Sequence, residues 1–421
     1  MQFCKLASSA SPNITSPNSP ELRRRGRAFL FSPADSPPSS AAPLAAQRFV
    51  SLLRNRARAP PSSPHPVDGL FRAVRGGWGD PAGPPPPRPQ SSPASSTSTS
   101  RAPRSAPVVY SPAYDIAFLG IEKLHPFDSS KWGRICKFLT KEGHLEKNRV
   151  VEPLEATKDD LLVVHSESYL NSLKSSLKVA SIVELPPVAF IPNWLVQQKL
   201  LYPFRKQVGG SILSAKLALE RGWAINVGGG FHHCSAEQGG GFCAYADISL
   251  CIQFAFVRLN ISRVMIIDLD AHQGNGHEKD FANDGRVYTL DMYNAGIYPY
   301  DHVAKRYIDQ KVELVSGTKT EDYLDQLDKA LKVAESRFQP QLIVYNAGTD
   351  ILDGDPLGRL KISPQGVVIR DEKVFRFAKD QSIPLLMLTS GGYMKSSARV
   401  IADSIINLSN KNLIELGSQL G

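Results

Sequence analysis

The 421-residue chain reads as an α/β protein built on a parallel sheet with helices on both faces. Three patterns point there. Short apolar runs, rich in β-branched residues, recur from residue 108 onward, as expected of strands buried on both faces. Longer stretches with helical periodicity lie between several of them, and alternating strands and helices imply parallel connections. Strand after strand then ends in glycine, aspartate or histidine, and open parallel sheets bind ligands outside the carboxyl ends of their strands.

In chain order, Val108–Tyr110 is a first strand, closed by the turn pair Ser111 and Pro112. Lys131–Lys141 has helical spacing, with Ser129 or Ser130 as its N-cap. Asp159–Tyr169 mixes helical and extended signals and is left unplaced. Pro186, Pro187 and Pro192 mark an irregular connection. Lys206–Arg221 is helical and stops at Gly222, a C-cap residue. Five strands follow. Trp223–Val227 leads into Gly228, Gly229, Gly230, Phe231, His232 and His233, and Arg263–Ile267 leads into Asp268. Arg286–Leu290 ends at Asp291, Leu342–Asn346 leads to Asp350, and Pro384–Thr389 leads to Tyr393. Glu321–Arg337, Gln365–Lys379 and Ser397–Leu408 supply further helices.

Charge divides the chain at residue 106. Residues 1–106 hold 19 of the 32 prolines, 13 arginines and Lys5 against four acids, a net +10, while the remainder carries −1. The basic balance therefore belongs to the leader, and nucleic-acid binding by the folded part, residues 107–421, is not expected. The leader contains Pro84–Pro87 and the polar run Ser95–Ser100. It is too poor in apolar surface to offset ordering entropy and is expected to be disordered. Being rich in Arg and Ser and poor in acids, it also fits an organelle transit segment, with an ordinary disordered extension as the alternative. No apolar run reaches 18 residues, so no membrane span is expected. Five cysteines without a CxxC pair fit free thiols in a reducing compartment.

The densest chemistry lies in Val264–His277. Asp268, Asp270 and His272 alternate, and period-two spacing would set all three on one side of an extended chain. Two acids and an imidazole are costly to bury unless a cation holds them, which makes this strand end a candidate metal site; a polar turn is the plainer alternative. A catalytic zinc takes three protein ligands and keeps one position open. Asp270 and His272 supply two, and Asp350 is the natural third in their company, although alone it reads more readily as a helix N-cap or turn acid. Asp268 could orient an imidazole from behind. His232 and His233, after three glycines, suit proton transfer because imidazole titrates near neutrality. Tyr393 can donate a hydrogen bond to a polarised carbonyl, or pack as a wedge against the sheet end.

GGGFHHC (Gly228–Cys234), GGGFCAYAD (Gly239–Asp247), DLDAHQGNGHE (Asp268–Glu278), YNAGTDILDGDPLG (Tyr345–Gly358) and TSGGY (Thr389–Tyr393), in that order, resemble the zinc-dependent histone deacetylase family, and most of all its class IV branch. The resemblance runs from about Val108 to Leu408 and leaves out the leader. It implies the arginase/deacetylase fold, a three-layer α/β/α sandwich around a parallel sheet of about eight strands. It implies Asp270, His272 and Asp350 as zinc ligands, His232 and His233 as the active-site histidines, and Tyr393 as the transition-state tyrosine. It implies Gly241, Phe242, Tyr298 and Leu357 at the tunnel for the acyl-lysine side chain, and Asp268, main-chain oxygens and Thr289 around a structural monovalent cation such as K+. Asn275 stands where many relatives pair the second histidine with aspartate. A neutral amide does not raise an imidazole's pKa as an anion does, so His233 should be the better general base and His232, paired with Asp268, the more readily protonated.

The activity so implied is hydrolysis of acyl-lysine, acetyl or longer, on histone tails or other proteins. It carries expectations of co-repressor partners and of the nucleus and cytoplasm, with a plastid or mitochondrion as the leader's alternative. Gln273 and Asn275 replace the charged residues that a two-manganese arginase site needs. Deacylation of small amines and a non-catalytic acyl-lysine-binding subunit stay open as other readings.

Overall fold

The computed structural model describes residues 106–117, 120–124, 126 and 128–416; the leader, save Ala106, lies outside them. Seven strands occur among the described residues, against the eight or so implied by the resemblance: β1 Val108–Val109, β2 Trp223–Asn226, β3 Val264–Asp268, β4 Val287–Asn294, β5 Gln310–Leu314, β6 Leu342–Asn346 and β7 Leu385–Leu388. They form one sheet in the order β1-β2-β7-β6-β3-β4-β5, and every pairing is parallel. All residues of β3, β4, β6 and β7 are buried, so both faces of the sheet are covered, as their unbroken apolar runs require.

The main helices are α1 Lys131–Lys141, α2 Tyr202–Arg221, α3 Asp247–Arg258, α4 Asn275–Asp280, α5 Thr320–Arg337, α6 Pro364–Asp380 and α7 Ser397–Asn410. α2 packs on β1, β2, β6 and β7 and on α3, which in turn meets α4. α5, α6, α7 and α1 form a second group, each packed on the next. α2 begins one turn earlier than the periodicity suggests and ends on Gly222 at φ +84°, the left-handed cap that glycine adopts freely. The ambiguous Asp159–Tyr169 stretch resolves into two short helices, Lys158–Leu161 and Glu167–Ser172, N-capped by the Thr157 and Ser166 hydroxyls. α1 starts after Ser130, but its side chain makes no cap bond; its hydroxyl donates to Asp128 instead.

Two strand readings are corrected. β5 was not anticipated from sequence because QKVEL is mostly polar; it is an edge strand that keeps Lys311 and Glu313 largely outside the core, a charged edge that discourages further pairing. β4 does not stop at Asp291 but continues to Asn294, which leaves Asp291 buried in mid-strand, in register with Asp268.

The strand order decides where chemistry gathers. β2, β7, β6 and β3 are consecutive neighbours, so the segments leaving their carboxyl ends converge on one rim. From β3 the chain next adds β4 on one side, while β6 lies on the other; that reversal is the switch point where such sheets hold ligands. The fully buried Arg370 of α6 donates to Leu269 O at 3.3 Å and Gly348 O at 2.5 Å, tying together the segments that follow β3 and β6.

Candidate active site

The chain leaves extended conformation after Asp268, so Asp268, Asp270 and His272 do not share one strand face as the alternation suggested. Each acid instead folds back on the amide two residues ahead: Asp270 N donates to Asp268 Oδ1 (3.2 Å) and His272 N to Asp270 Oδ1 (3.0 Å). This local turn sends Asp268 into one cluster and Asp270 with His272 into another.

Asp270, His272 and Asp350 converge. Asp270 Oδ1 and Asp350 Oδ2 lie 3.1 and 2.9 Å from the same His272 Nδ1. The far oxygens are held by donors: Asp270 Oδ2 accepts from Ser390 Oγ and Gly391 N, both at 3.1 Å, and Asp350 Oδ1 accepts from Ala271 N at 2.9 Å. Each carboxylate therefore presents one aimed oxygen toward the imidazole nitrogen. Two buried carboxylates against one imidazole hold an excess of negative charge: burial and the nearby Asp270 push the Asp350 carboxyl above its ordinary range. Hard and borderline donors in an O,O,N set, within 4.8 Å of one another, fit a divalent ion such as zinc. Gly391 is required here, since a Cβ would meet Asp270 Oδ2 at 2.4 Å and Asp350 Oδ2 at 2.7 Å.

The two adjacent histidines reach in from the end of β2. Gly229 and Gly230 sit at φ +70° and +79° with no space for a Cβ, which lets the chain turn close beneath the site. His232 Nδ1 donates to Asp268 Oδ2 at 2.9 Å, and His233 Nδ1 pairs with Asn275 Oδ1 at 2.8 Å. Asn275 donates its own amide to Asp301, so its oxygen faces His233 and fixes that imidazole as the Nδ1–H tautomer with a free lone pair on Nε2. Burial opposes charge on both rings, but the Asp268 and Asp270 carboxylates raise His232 to about 9. Burial, and then the charges of His232 and His272, take His233 well below its ordinary value.

Tyr393 lines the same small cavity as His232, His233, Phe242 and Asp270, and its amide donates to Asp355 Oδ2 at 2.9 Å. Phe242 is held by its amide on Ile182 O (3.0 Å) and by edge contact with Phe204, at a left-handed φ of +65°. Gly241 sits between His233 and Tyr298, where a Cβ would meet His233 Cδ2 at 2.5 Å and Tyr298 Cε1 at 3.1 Å. Tyr298 stands edge-on to His233, 4.9 Å between centroids, and is 40% exposed. Leu357 is exposed, and neither it nor Tyr298 is among the side chains lining the cavity. Thr289 pairs with Ile266, two residues before Asp268 on the neighbouring strand, and is buried.

Three further residues serve the site without a sequence signal strong enough to find them. Lys131, fully buried at the start of α1, donates to Ser390 O (2.5 Å) and Gly391 O (2.8 Å) and so fixes the loop after β7; burial pushes its pKa down to about 8. Glu184, at φ +56°, accepts from the Gly241 amide at the mouth. His277 stands inside the DLDAHQGNGH motif and meets Asp268 at the same oxygen as His232. A larger cavity of about 470 Å³ between Lys158, Lys174, Arg205 and Tyr245 gathers no metal-donor cluster, so donor chemistry rather than size marks the site.

A histone deacetylase domain family model matches residues 125–408. The chain is 74% identical over 308 residues to histone deacetylase 2 of Arabidopsis thaliana, covering 73% of this chain and 80% of that protein. It is 28% identical over 264 residues to histone deacetylase 8 of Xenopus tropicalis, 60% of this chain and 70% of that protein. Among solved structures, the HDA15 HD domain matches with a TM-score of 0.60 at 20% identity, covering 75% of this chain and 91% of that one, a likeness of fold.

Proposed function

The chain belongs to the histone deacetylase family, and from that premise we propose that it is a zinc-dependent lysine deacylase of the class IV branch. One observation carries the reading: two oriented carboxylates and an imidazole converge beside a neutral histidine whose free nitrogen faces the cavity. Asp270, His272 and Asp350 would hold the ion. When bound, zinc supplies Lewis acidity toward the acyl carbonyl and the attacking water.

The chain's own groups do the rest. His233 Nε2 takes a proton from water as its oxygen attacks the carbonyl carbon, because Asn275 keeps Nδ1 protonated and Nε2 free. The Tyr393 hydroxyl donates to the oxygen that gains negative charge. His232, held charged by Asp268, adds positive potential. His233 then hands its proton to the lysine nitrogen as the C–N bond breaks, leaving a carboxylic acid and an amine, which pass on to carboxylate and ammonium by transfer of the remaining proton. Phe242, Gly241 and Tyr298 flank the aliphatic stem of the lysine.

Acetyl groups and longer fatty acyl groups are both proposed substrates, on histone tails or other proteins, with co-repressor complexes as partners and K+ as a structural ion. The proposed compartments are nucleus and cytoplasm. The basic, Ser- and Pro-rich residues 1–106 support an organelle as the alternative, tested by imaging full-length protein beside a chain starting at Ala106. Among the described residues no helix is long and apolar enough to cross a membrane. The activity is tested by turnover of acetyl-, crotonyl- and myristoyl-lysine peptides with and without a chelator. Chelator-sensitive release of at least one acyl group is expected; no turnover of any of them by zinc-loaded protein would sink the reading.

A further inference from the structure

We propose that His277 is a positioning residue that orients His232 through Asp268, an inference that rests on the reading of the site given above. His277 Nε2 lies 2.8 Å from Asp268 Oδ2, the same oxygen that His232 Nδ1 approaches at 2.9 Å. A carboxylate only accepts, so both nitrogens carry protons and both imidazoles donate to one atom. Asp268 Oδ1 is held in turn by Asp270 N (3.2 Å) and Asn346 Nδ2 (2.9 Å). With four donors the carboxylate cannot turn, and the plane of His232 is set by it.

The placement of His277 makes this more than a packing contact. α4 is six residues long, and both active-site histidines are supported from it: Asn275 holds His233, Gly276 N donates to His232 O at 2.8 Å, and His277 reaches His232 through Asp268. Gly274, just before the helix, leaves room for the link, since a Cβ there would meet His277 Nε2 at 2.1 Å and Asp268 Oδ2 at 2.5 Å. His277 is 1% exposed, and its Nδ1 has no hydrogen-bond partner among the described residues. A buried nitrogen without a partner costs stability, so an apolar side chain would suit the space better if filling it were the only task. The fold bears that cost where the other nitrogen meets Asp268.

The test uses the full chain loaded with zinc. His277→Gln keeps an N–H donor at the reach of Nε2; His277→Met fills a similar volume without one. Three quantities are read: kcat and KM on an acetyl-lysine peptide, zinc per chain, and the proton resonance of the hydrogen-bonded His232 Nδ1–H, assigned by its loss in His232→Asn. In His277→Met, kcat should fall by about 10–100-fold, as for other residues that orient a catalytic group, with KM and zinc unchanged and the His232 resonance moved. In His277→Gln, kcat and the resonance should return toward wild type. Wild-type kcat with an unmoved resonance in His277→Met overturns the proposal. So do equal losses of kcat in both variants with equal falls in melting temperature. If the wild-type protein turns over no acyl-lysine peptide, the proposed reaction fails, and the resonance alone decides: moved in Met and restored in Gln, the link stands; unmoved, it falls.

Discussion

Asp270, His272 and Asp350 set two carboxylates around one imidazole, whereas His232, Asp268 and His277 set two imidazoles around one carboxylate. Both groups are buried, and Asp268 and Asp270 stand two residues apart in one motif. The ratio gives them opposite needs. The first group has more negative charge than its imidazole can balance, so it calls for a cation. The second balances itself: the charge of His232 and the hydrogen bonds from both rings overcome burial and hold the Asp268 carboxyl well below the usual carboxylate range. One group is thus a metal trap and the other a strut, although their residue types are the same.

Removing the base that stands beside the strut, held by Asn275, should have the largest effect. His233→Ala is expected to lower kcat by about 10²–10⁴ while zinc stays bound, measured by single-turnover deacetylation beside metal analysis. Loss of zinc in this variant would blur the division between the groups. Tyr393→Phe, which removes only the hydroxyl facing the substrate oxygen, should cost about 10²–10³ in kcat with KM little changed. Asp268→Asn should cost about 10–100-fold through misorientation of His232, again with zinc retained. A larger loss than His233→Ala would make the strut part of the chemistry rather than its support.

The smallest effect on turnover concerns a histidine outside both groups. His165 donates from Nδ1 to Ala236 O (3.1 Å) and accepts at Nε2 from Ala246 N (3.0 Å), and burial pushes its pKa down to about 4. Between that value and its ordinary one near 6.5, the unfolded chain binds a proton that the folded chain does not. Stability should therefore be complete above pH 6.5 and fall as pH drops toward 4, by on the order of 2–3 kcal/mol from this group. Urea midpoints at pH 7 and pH 4.5 measure it, and His165→Gln should flatten the difference. An equal pH slope in that variant would assign the loss to the other buried groups.

Much of this was legible before the structure. Apolar runs such as Val264–Ile267 and Leu342–Asn346 announce a buried parallel sheet, and polar strand ends place the site at its rim. The edge strand Gln310–Leu314 was not, because its solvent-facing Lys311 and Glu313 hide the pattern. The separation of Asp268 from Asp270 was not legible either: period-two reasoning assumes an extended chain, and the side-chain-to-amide turns after Asp268 end it. His277 and Lys131 carry no spacing signal, since their partners, Asp268 and the carbonyls of Ser390 and Gly391, are chosen by tertiary packing.

The central claim is the division of labour between the two carboxylate–histidine groups, and zinc per chain after dialysis tests it most directly. Asp350→Asn should retain almost none, and Asp268→Asn should retain as much as wild type. If both variants lose zinc alike, or both keep it, the two groups do not differ in the way their charges imply.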